Sequence, residues 1–478
     1  LVGSEMCIRD SLHTTLRRFY APEHLIKKER FLEKPPDSVS VYRKLLEVAW
    51  PATLESVLLG LVSFVDGLMV STVGTAAIAA VGVTNQPRLL FFAVFFAMNI
   101  GVTAIVSRRK GQGDRDGANE CLAQAVAIAL ILGVVLCTVA IIVAEPLIAF
   151  AGADEDIFDD AVAYFRIIMA GMLFTSVGMA INAAQRGIGN TKISMITNIA
   201  ANLTNCVFNY FLINGIWFFP ALGVRGAAIS TAVSTALAGL VMVYMICRPS
   251  SRVVLRLRKL RLDMPILRRI LNVGFPAALE RLTLNVGQIF FVGLVSSLGT
   301  AQLAAHHLSL NVESLSYMPG FAFGVAATTL IGQSLGAQDP QRAMARGALC
   351  IRAGVVVMSG IGVLLFAFAP WLIAMLSPDE EVRAIGTVLI RICAFEQPFM
   401  AMSMIGAGAL RGAGDTRVPF YVSLAGMWGV RLILAWLLAI RFGLGVNGAW
   451  YAMVTDLCVR GVLMYVRFAR GKWKTASV

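Results

Sequence analysis

Twelve apolar runs, each long enough to cross a bilayer, constrain this chain more than any other feature. They fall at about 46–73, 86–107, 121–144, 161–184, 193–215, 224–247, 270–298, 308–334, 347–372, 384–410, 418–440 and 446–466, and are called spans 1–12. About twenty apolar residues bridge the hydrocarbon core as a helix. Inside that core a helix satisfies every backbone polar group within its own segment. The expected fold is therefore all-α integral membrane. The composition agrees: 58% of the residues are apolar and 14% charged, against roughly 25% charged in a soluble domain. A soluble fold has no way to cover that much apolar surface. A disordered chain needs the opposite balance.

The net charge of +13 is explained by its distribution. Eight Lys/Arg lie between Arg17 and Lys44, and eight more fill the linker 248–269. Others occupy the loops around Arg108–Arg115, Arg186–Lys192, Arg342–Arg346 and Arg411–Arg417, and the tail Arg467–Lys474. These total thirty, whereas the alternate loops hold four: Arg88, Arg225, Arg383 and Arg441. Lys and Arg collect on the cytoplasmic side, so both termini are expected in the cytoplasm and the chain in the plasma (inner) membrane. The bilayer is then the partner of the basic surface, and nucleic acid is not. The eight Cys lie mostly in apolar runs without CxxC or metal-ligand spacing. They read as buried, reduced packing residues.

The expected division is a terminal stretch 1–11, a basic arm 12–44, an N-terminal six-helix lobe 45–247, a linker 248–269, a C-terminal six-helix lobe 270–466 and a tail 467–478. Leu1–Ser11 (LVGSEMCIRDS) resembles translated sequencing-adapter sequence and is set aside as non-native.

The two lobes repeat at an offset of 225 residues. Pro51-Ala52-Thr53-Leu54-Glu55 matches Pro276-Ala277-Ala278-Leu279-Glu280, and Gly74-Thr75 matches Gly299-Thr300. Gly111 and Asp114 match Gly336 and Asp339, and Arg166 matches Arg391. Arg186-Gly-Ile-Gly-Asn-Thr-Lys192 matches Arg411-Gly-Ala-Gly-Asp-Thr-Arg417. Each repeat has six spans, an even number, so both enter the membrane from the same side. Parallel repeats about an axis along the membrane normal are a transporter architecture, with a substrate path between halves that rock.

These motifs also carry a family resemblance. Pro51 with Phe64-Val65-Asp66-Gly67, the two Arg-Gly-x-Gly-[Asn/Asp]-Thr-[Lys/Arg] loops and Leu303-Ala304-Ala305-His306 contribute to it. So do the Gly-Val-x-Gly-Ala turns at 223 and 445 and the tail Arg467–Lys474. Over about residues 45–474 the chain resembles the multidrug and toxic compound extrusion (MATE) family. The resemblance implies a V-shaped bundle of twelve helices in two lobes. It also implies export of small organic, often cationic compounds in exchange for H+ or Na+.

An ionisable group inside a span is costly and marks function by default. The repeat filters such groups. Glu55/Glu280 and Arg166/Arg391 are mirrored and read as shared architecture. Asp66 is not mirrored, because its counterpart is Phe291. It stands eight residues before Gly74, roughly 12 Å deep at about 1.5 Å rise per residue. Thr231 on span 6 has similar depth. Asn205 and Asn209 on span 5 are four apart, hence on one helix face, and their counterparts are Val430 and Leu434. One carboxylate and three neutral oxygen ligands thus share a depth band. Such a set suits a proton, since low dielectric favours a neutral carboxyl group, or a small hard cation.

The resemblance places a cation-coupling site here, with Asp66 as its acid and Asn205 and Thr231 fitting its pattern. Many members have Asp where this chain has Asn209, which tilts the reading toward H+. Asn182 matches a polar position of the same lobe network.

The C-terminal lobe offers Glu280, Glu313, Glu396, Arg431 and Asp456 as cavity or ion-network candidates. Asp456 and Arg460 are four apart and can pair, with Arg431 as a cross-helix partner. Glu396 precedes Gln397-Pro398, where a kink would free carbonyls. His306-His307 has no third ligand at metal spacing, so no metal or other cofactor is expected beyond the coupling ion.

The chain has no GxxxxGK[ST] loop, so the energy source is an ion gradient. A lipid-linked precursor flippase of the related superfamily is the alternative. It is disfavoured by the count of twelve spans and the scarcity of cavity Arg. A membrane-embedded enzyme would need a metal or nucleophile constellation that the sequence does not display. A monomer is expected.

Overall fold

The computed structural model describes residues 45, 47–55, 58, 65–67, 69–70, 72–215, 220–248, 253–254 and 263–475. The terminal stretch 1–11, the arm 12–44 and most of the linker 248–269 lie outside the described residues. Apart from Leu45, the described residues belong to one unit, Glu47–Val478.

Each of spans 2–12 coincides with a helix. The helices are Thr75–Gln112, Arg115–Ile142, Glu155–Gly187, Thr191–Asn214, Gly223–Cys247, Met264–Ser296, the broken pair Thr300–Ser316 and Met318–Gly336, Pro340–Ala374, Glu380–Ala413, Arg417–Arg441 and Gly445–Ala469. Span 1 is helical at 47–55, 65–67 and 69–70, and a short helix, Ala144–Phe150, follows span 3. No strand occurs among the described residues.

Eight of the described helices are long and apolar enough to cross a membrane, and the two halves of span 8, bent by 41°, make a ninth together. Spans 5 and 12 have 24 and 25 residues. Both carry polar groups singled out above: Asn205 and Asn209 on one, Asp456 and Arg460 on the other. Large apolar side chains such as Ile142, Val356, Val363 and Phe395 point outward. A membrane protein places them there, and this accounts for the apolar excess.

The repeat is visible bond for bond. Asp114 caps span 3 by accepting from the Gly117 N–H at 2.8 Å, and Asp339 caps span 9 by accepting from the Arg342 N–H at 2.8 Å. Thr103 Oγ1 donates to the Ala183 carbonyl and Thr328 Oγ1 to the Gly408 carbonyl. Arg186 donates to Glu55 at 2.9 Å, and Arg411 to Glu280 at 2.7 Å. Each carboxylate takes a second donor from span 5 or 11, Asn198 at 2.5 Å or Ser423 at 3.1 Å. Gly189 and Gly414, in the Arg-Gly-x-Gly loops, have φ of 81° and 90°. That left-handed conformation is why both loops keep glycine there.

The lobes meet where spans 2, 4 and 8 reach the basic loops. Spans 2 and 8 cross at Gly111 and Gly336, another mirrored pair. A Cβ on Gly111 would overlap the Gln333 carbonyl, and one on Gly336 the Arg108 carbonyl. Thr329 Oγ1 donates to the Arg186 carbonyl at 2.9 Å, and Gln333 Nε2 to the Gly187 carbonyl at 3.0 Å.

Candidate functional site

Spans 1, 5 and 6 bring four of the expected residues together at the end of the N-terminal lobe away from the basic loops. Asp66, half-buried, stands eight residues before the Gly74 turn. Asn209 Nδ2 donates to Asp66 Oδ1 at 2.7 Å. The Asn205 amide lies between span 1 and span 6. One of its terminal atoms is 2.7 Å from Asp66 Oδ1 and 3.1 Å from Oδ2. The other is 3.3 Å from Ser230 Oγ and 3.2 Å from Thr231 Oγ1. Asn205 and Asn209 are almost fully buried, and Asn209 Oδ1 has no partner. One acid, two amides and two hydroxyls thus form a continuous polar cluster within an apolar bundle.

Ser230 belongs to this cluster, and sequence reasoning missed it. Its Oγ also donates to the Asn205 carbonyl at 2.8 Å, tying span 6 to span 5. Only its adjacence to Thr231 could have pointed to it. Asn182 is different: it makes no hydrogen bond to the cluster, and its Oδ1 is buried without a partner.

The C-terminal lobe separates its candidates into three groups. Glu280 is locked to Arg411 and Ser423, the mirror of Glu55 with Arg186 and Asn198. Asp456, fully buried, receives Arg431 Nε at 2.9 Å and Arg460 Nε at 2.8 Å, with a second Arg460 nitrogen on Oδ2. Arg431 Nη1 adds a longer bond to Gln288 Oε1 at 3.4 Å. A π-helical turn, Ala425–Arg431, presents Arg431, and Gly426 leaves room for Asp456 and Arg460. The Arg431 guanidinium lies 5.7 Å from the ring of Phe291, the counterpart of Asp66. Phe291 in turn packs against His306, whose Nδ1 accepts from Trp450 Nε1 at 3.0 Å.

The third group is Glu313, Cys393 and Glu396, whose ligand atoms lie within 4.8 Å of one another. Cys393 Sγ donates to Glu396 Oε1 at 3.6 Å, and Gln397 Nε2 donates to Cys393 Sγ at 3.5 Å. The Oε2 atoms of both glutamates have no partner. Cys393 was not among the expected site residues. Glu313 lies far from it in sequence, and no spacing rule reaches across such a distance. Span 10 runs unbroken from Glu380 to Ala413 with Pro398 inside it.

Comparison with known proteins agrees with this architecture. The MatE family profile matches residues 51–211 and 276–437, two segments whose starts are separated by the repeat offset. The probable multidrug resistance protein NorM of Thermotoga maritima is 30% identical over 451 residues, covering 93% of this chain and 96% of that protein. The multidrug resistance protein PmpM of Pseudomonas aeruginosa is 27% identical over 439 residues, covering 90% and 91%. Among solved structures, an outward-facing multidrug resistance MATE family transporter superposes with a TM-score of 0.85 at 20% identity, covering 92% of this chain and all of that one. A MATE bound to MaL6 gives the same score, at 20% identity, over 90% of this chain and 97% of its own. The chain belongs to the MATE family of multidrug efflux transporters.

Proposed function

We propose that the chain is a secondary active antiporter. It exports lipophilic, often cationic organic compounds across the plasma membrane, and an ion entering through the Asp66 cluster drives the exchange. The observation that carries this reading is the convergence of Asp66, Asn205, Asn209 and Thr231 at positions the second lobe fills with Phe291, Val430 and Leu434 and, across Phe291, with Arg431. The cluster is therefore not needed for the lobe's architecture, which the other lobe builds without it.

The ion of this reading is H+ rather than Na+. A proton needs only a carboxylate oxygen, whereas a sodium ion needs several oxygens converging on one point. Asn209 turns its N–H, not its carbonyl, toward Asp66. Packing of spans 2, 4 and 8 at the basic loops closes the cytoplasmic end, so Asp66 is reached from outside. Binding there shifts the balance of the two lobe arrangements because the ion and the drug favour different ones.

Substrate efflux from vesicles under separately imposed proton and sodium gradients tests this. The wild type is expected to respond to the proton gradient, and Asp66→Asn to lose that response while still inserting and folding. Gradient-driven efflux that survives in Asp66→Asn overturns the assignment.

A further inference from the structure

Four donor groups meet inside the C-terminal lobe: Glu313, Cys393, Glu396 and Gln397. The last three lie within about one turn of span 10, and Glu313 reaches them from the first half of span 8, three residues before that helix ends at Ser316. Cys393, Glu396 and Gln397 have no exposed surface, and Glu313 keeps 6%. An oxygen of each carboxyl group and the Cys393 Sγ lie within 4.8 Å of one another. The Gln397 amide adjoins the sulfur, with Nε2 at 3.5 Å. Three oxygens here are buried without a hydrogen-bond partner: Glu313 Oε2, Glu396 Oε2 and Gln397 Oε1. Buried polar atoms are ordinarily paired, so three orphaned acceptors beside one thiol point to a cation that they share.

The repeat removes the architectural explanation. At the offset of 225 the four positions correspond to Arg88, Ile168, Gly171 and Met172. The N-terminal lobe thus packs the equivalent spans with no carboxylate or thiol at any of them.

The sulfur decides which cation. Hard ions take oxygen ligands, and a thiol offers them little. A thiolate beside carboxylate and amide oxygens suits a thiophilic divalent ion. In a tetrahedral site with bonds of about 2.0–2.3 Å, neighbouring ligand atoms stand about 3.5 Å apart. Closing the group on an ion therefore asks for side-chain shifts of about 1 Å. Charge balances as well. A thiolate and two carboxylates outweigh a dication by one negative charge, and the Arg431–Asp456–Arg460 triad carries one net positive charge. Arg431 is near enough to both glutamates for its charge to act on them.

We propose that Glu313, Cys393, Glu396 and Gln397 form a binding site for a thiophilic divalent cation of the Zn2+ or Cd2+ kind, which ties span 8 to span 10. The Cys393 S–H bond breaks as the metal–sulfur bond forms, and the proton leaves to water with the hydration shell of the entering ion. No electron is transferred. The site is separate from the Asp66 cluster and does not depend on its role.

Titration of the purified, reduced protein in lipid nanodiscs with Cd2+ tests this. The ultraviolet thiolate-to-metal absorption should saturate at one equivalent above the Cys393→Ser baseline, which subtracts every other cysteine. Glu313→Gln and Glu396→Gln should each weaken binding by more than about tenfold, the cost of losing even an outer partner of a metal ligand. Cd2+ should raise the thermal unfolding temperature of the wild type and leave that of Cys393→Ser unchanged. Zinc-edge X-ray absorption of the wild type needs no variant, and should give one sulfur at about 2.3 Å with oxygens at about 2.0–2.2 Å. A band of equal strength in Cys393→Ser, unchanged affinity in both glutamate variants, or a zinc shell without sulfur overturns the proposal.

Discussion

Asp456 is a buried carboxylate held between two guanidinium groups, Arg431 and Arg460, and such a triad is costly to break. Removing one partner leaves uncompensated charge and costs about 3–5 kcal/mol. Asp456→Asn would leave two cations facing each other without the carboxylate between them. A large drop in the thermal unfolding temperature of the purified protein is expected, whereas Asp66→Asn, which removes a half-buried group held by amides, should unfold close to wild type. Equal melting of the two variants would contradict the architectural role of the triad.

Residues were legible in the sequence to different degrees for a physical reason. Asp66, Asn205 and Asn209 stand out because an internal repeat supplies its own control, and Thr231 because it lies at their depth. Asp456 and Arg460 stand out because four residues make one helical turn. Glu313, Cys393 and Glu396 meet only through packing between spans 8 and 10, and that contact leaves no trace in local spacing.

At the level of the element, the apolar runs located the helices because in lipid each run must satisfy its own backbone. Two departures were hidden. The run 308–334 was expected as one span, but its helix breaks at Tyr317, two residues before Pro319. Proline disfavours helical geometry in the residue before it and removes a backbone donor. Span 11 contains two π-helical stretches, Ala425–Arg431 and Trp436–Arg441, which hydropathy does not register. The caps repeat faithfully, and this gives a paired prediction. Asp114→Ala and Asp339→Ala should each cost about 1 kcal/mol. The two sites share no partner, so the double variant should lose the sum of the two effects in denaturant-dependent unfolding. A large effect from one cap and none from the other would show that the lobes are not energetically alike.

For the whole molecule, the crossing of spans 2 and 8 at Gly111 and Gly336 joins the two lobes where backbone meets backbone. Neither glycine can gain a side chain without separating the helices. Gly336→Val is expected to expose this end of the path: a cysteine placed at Gln333 should react with a membrane-impermeant thiol reagent applied to the basic-loop side much faster in the valine variant than with glycine retained. Equal labelling would mean the seal lies elsewhere.

The Asp66 cluster holds one acid among amides and hydroxyls, and this has an electrical consequence. In the proposed antiport, a single carboxylate would limit the inward step to one elementary charge per turnover. Export of a monovalent organic cation then moves no net charge, so clamping the membrane potential with potassium and valinomycin should leave its rate unchanged. Export of an uncharged compound carries one positive charge inward and should accelerate when the interior is made negative. One substitution, an acid at Asn209, would add a second exchangeable charge and make the cation's export sensitive to voltage.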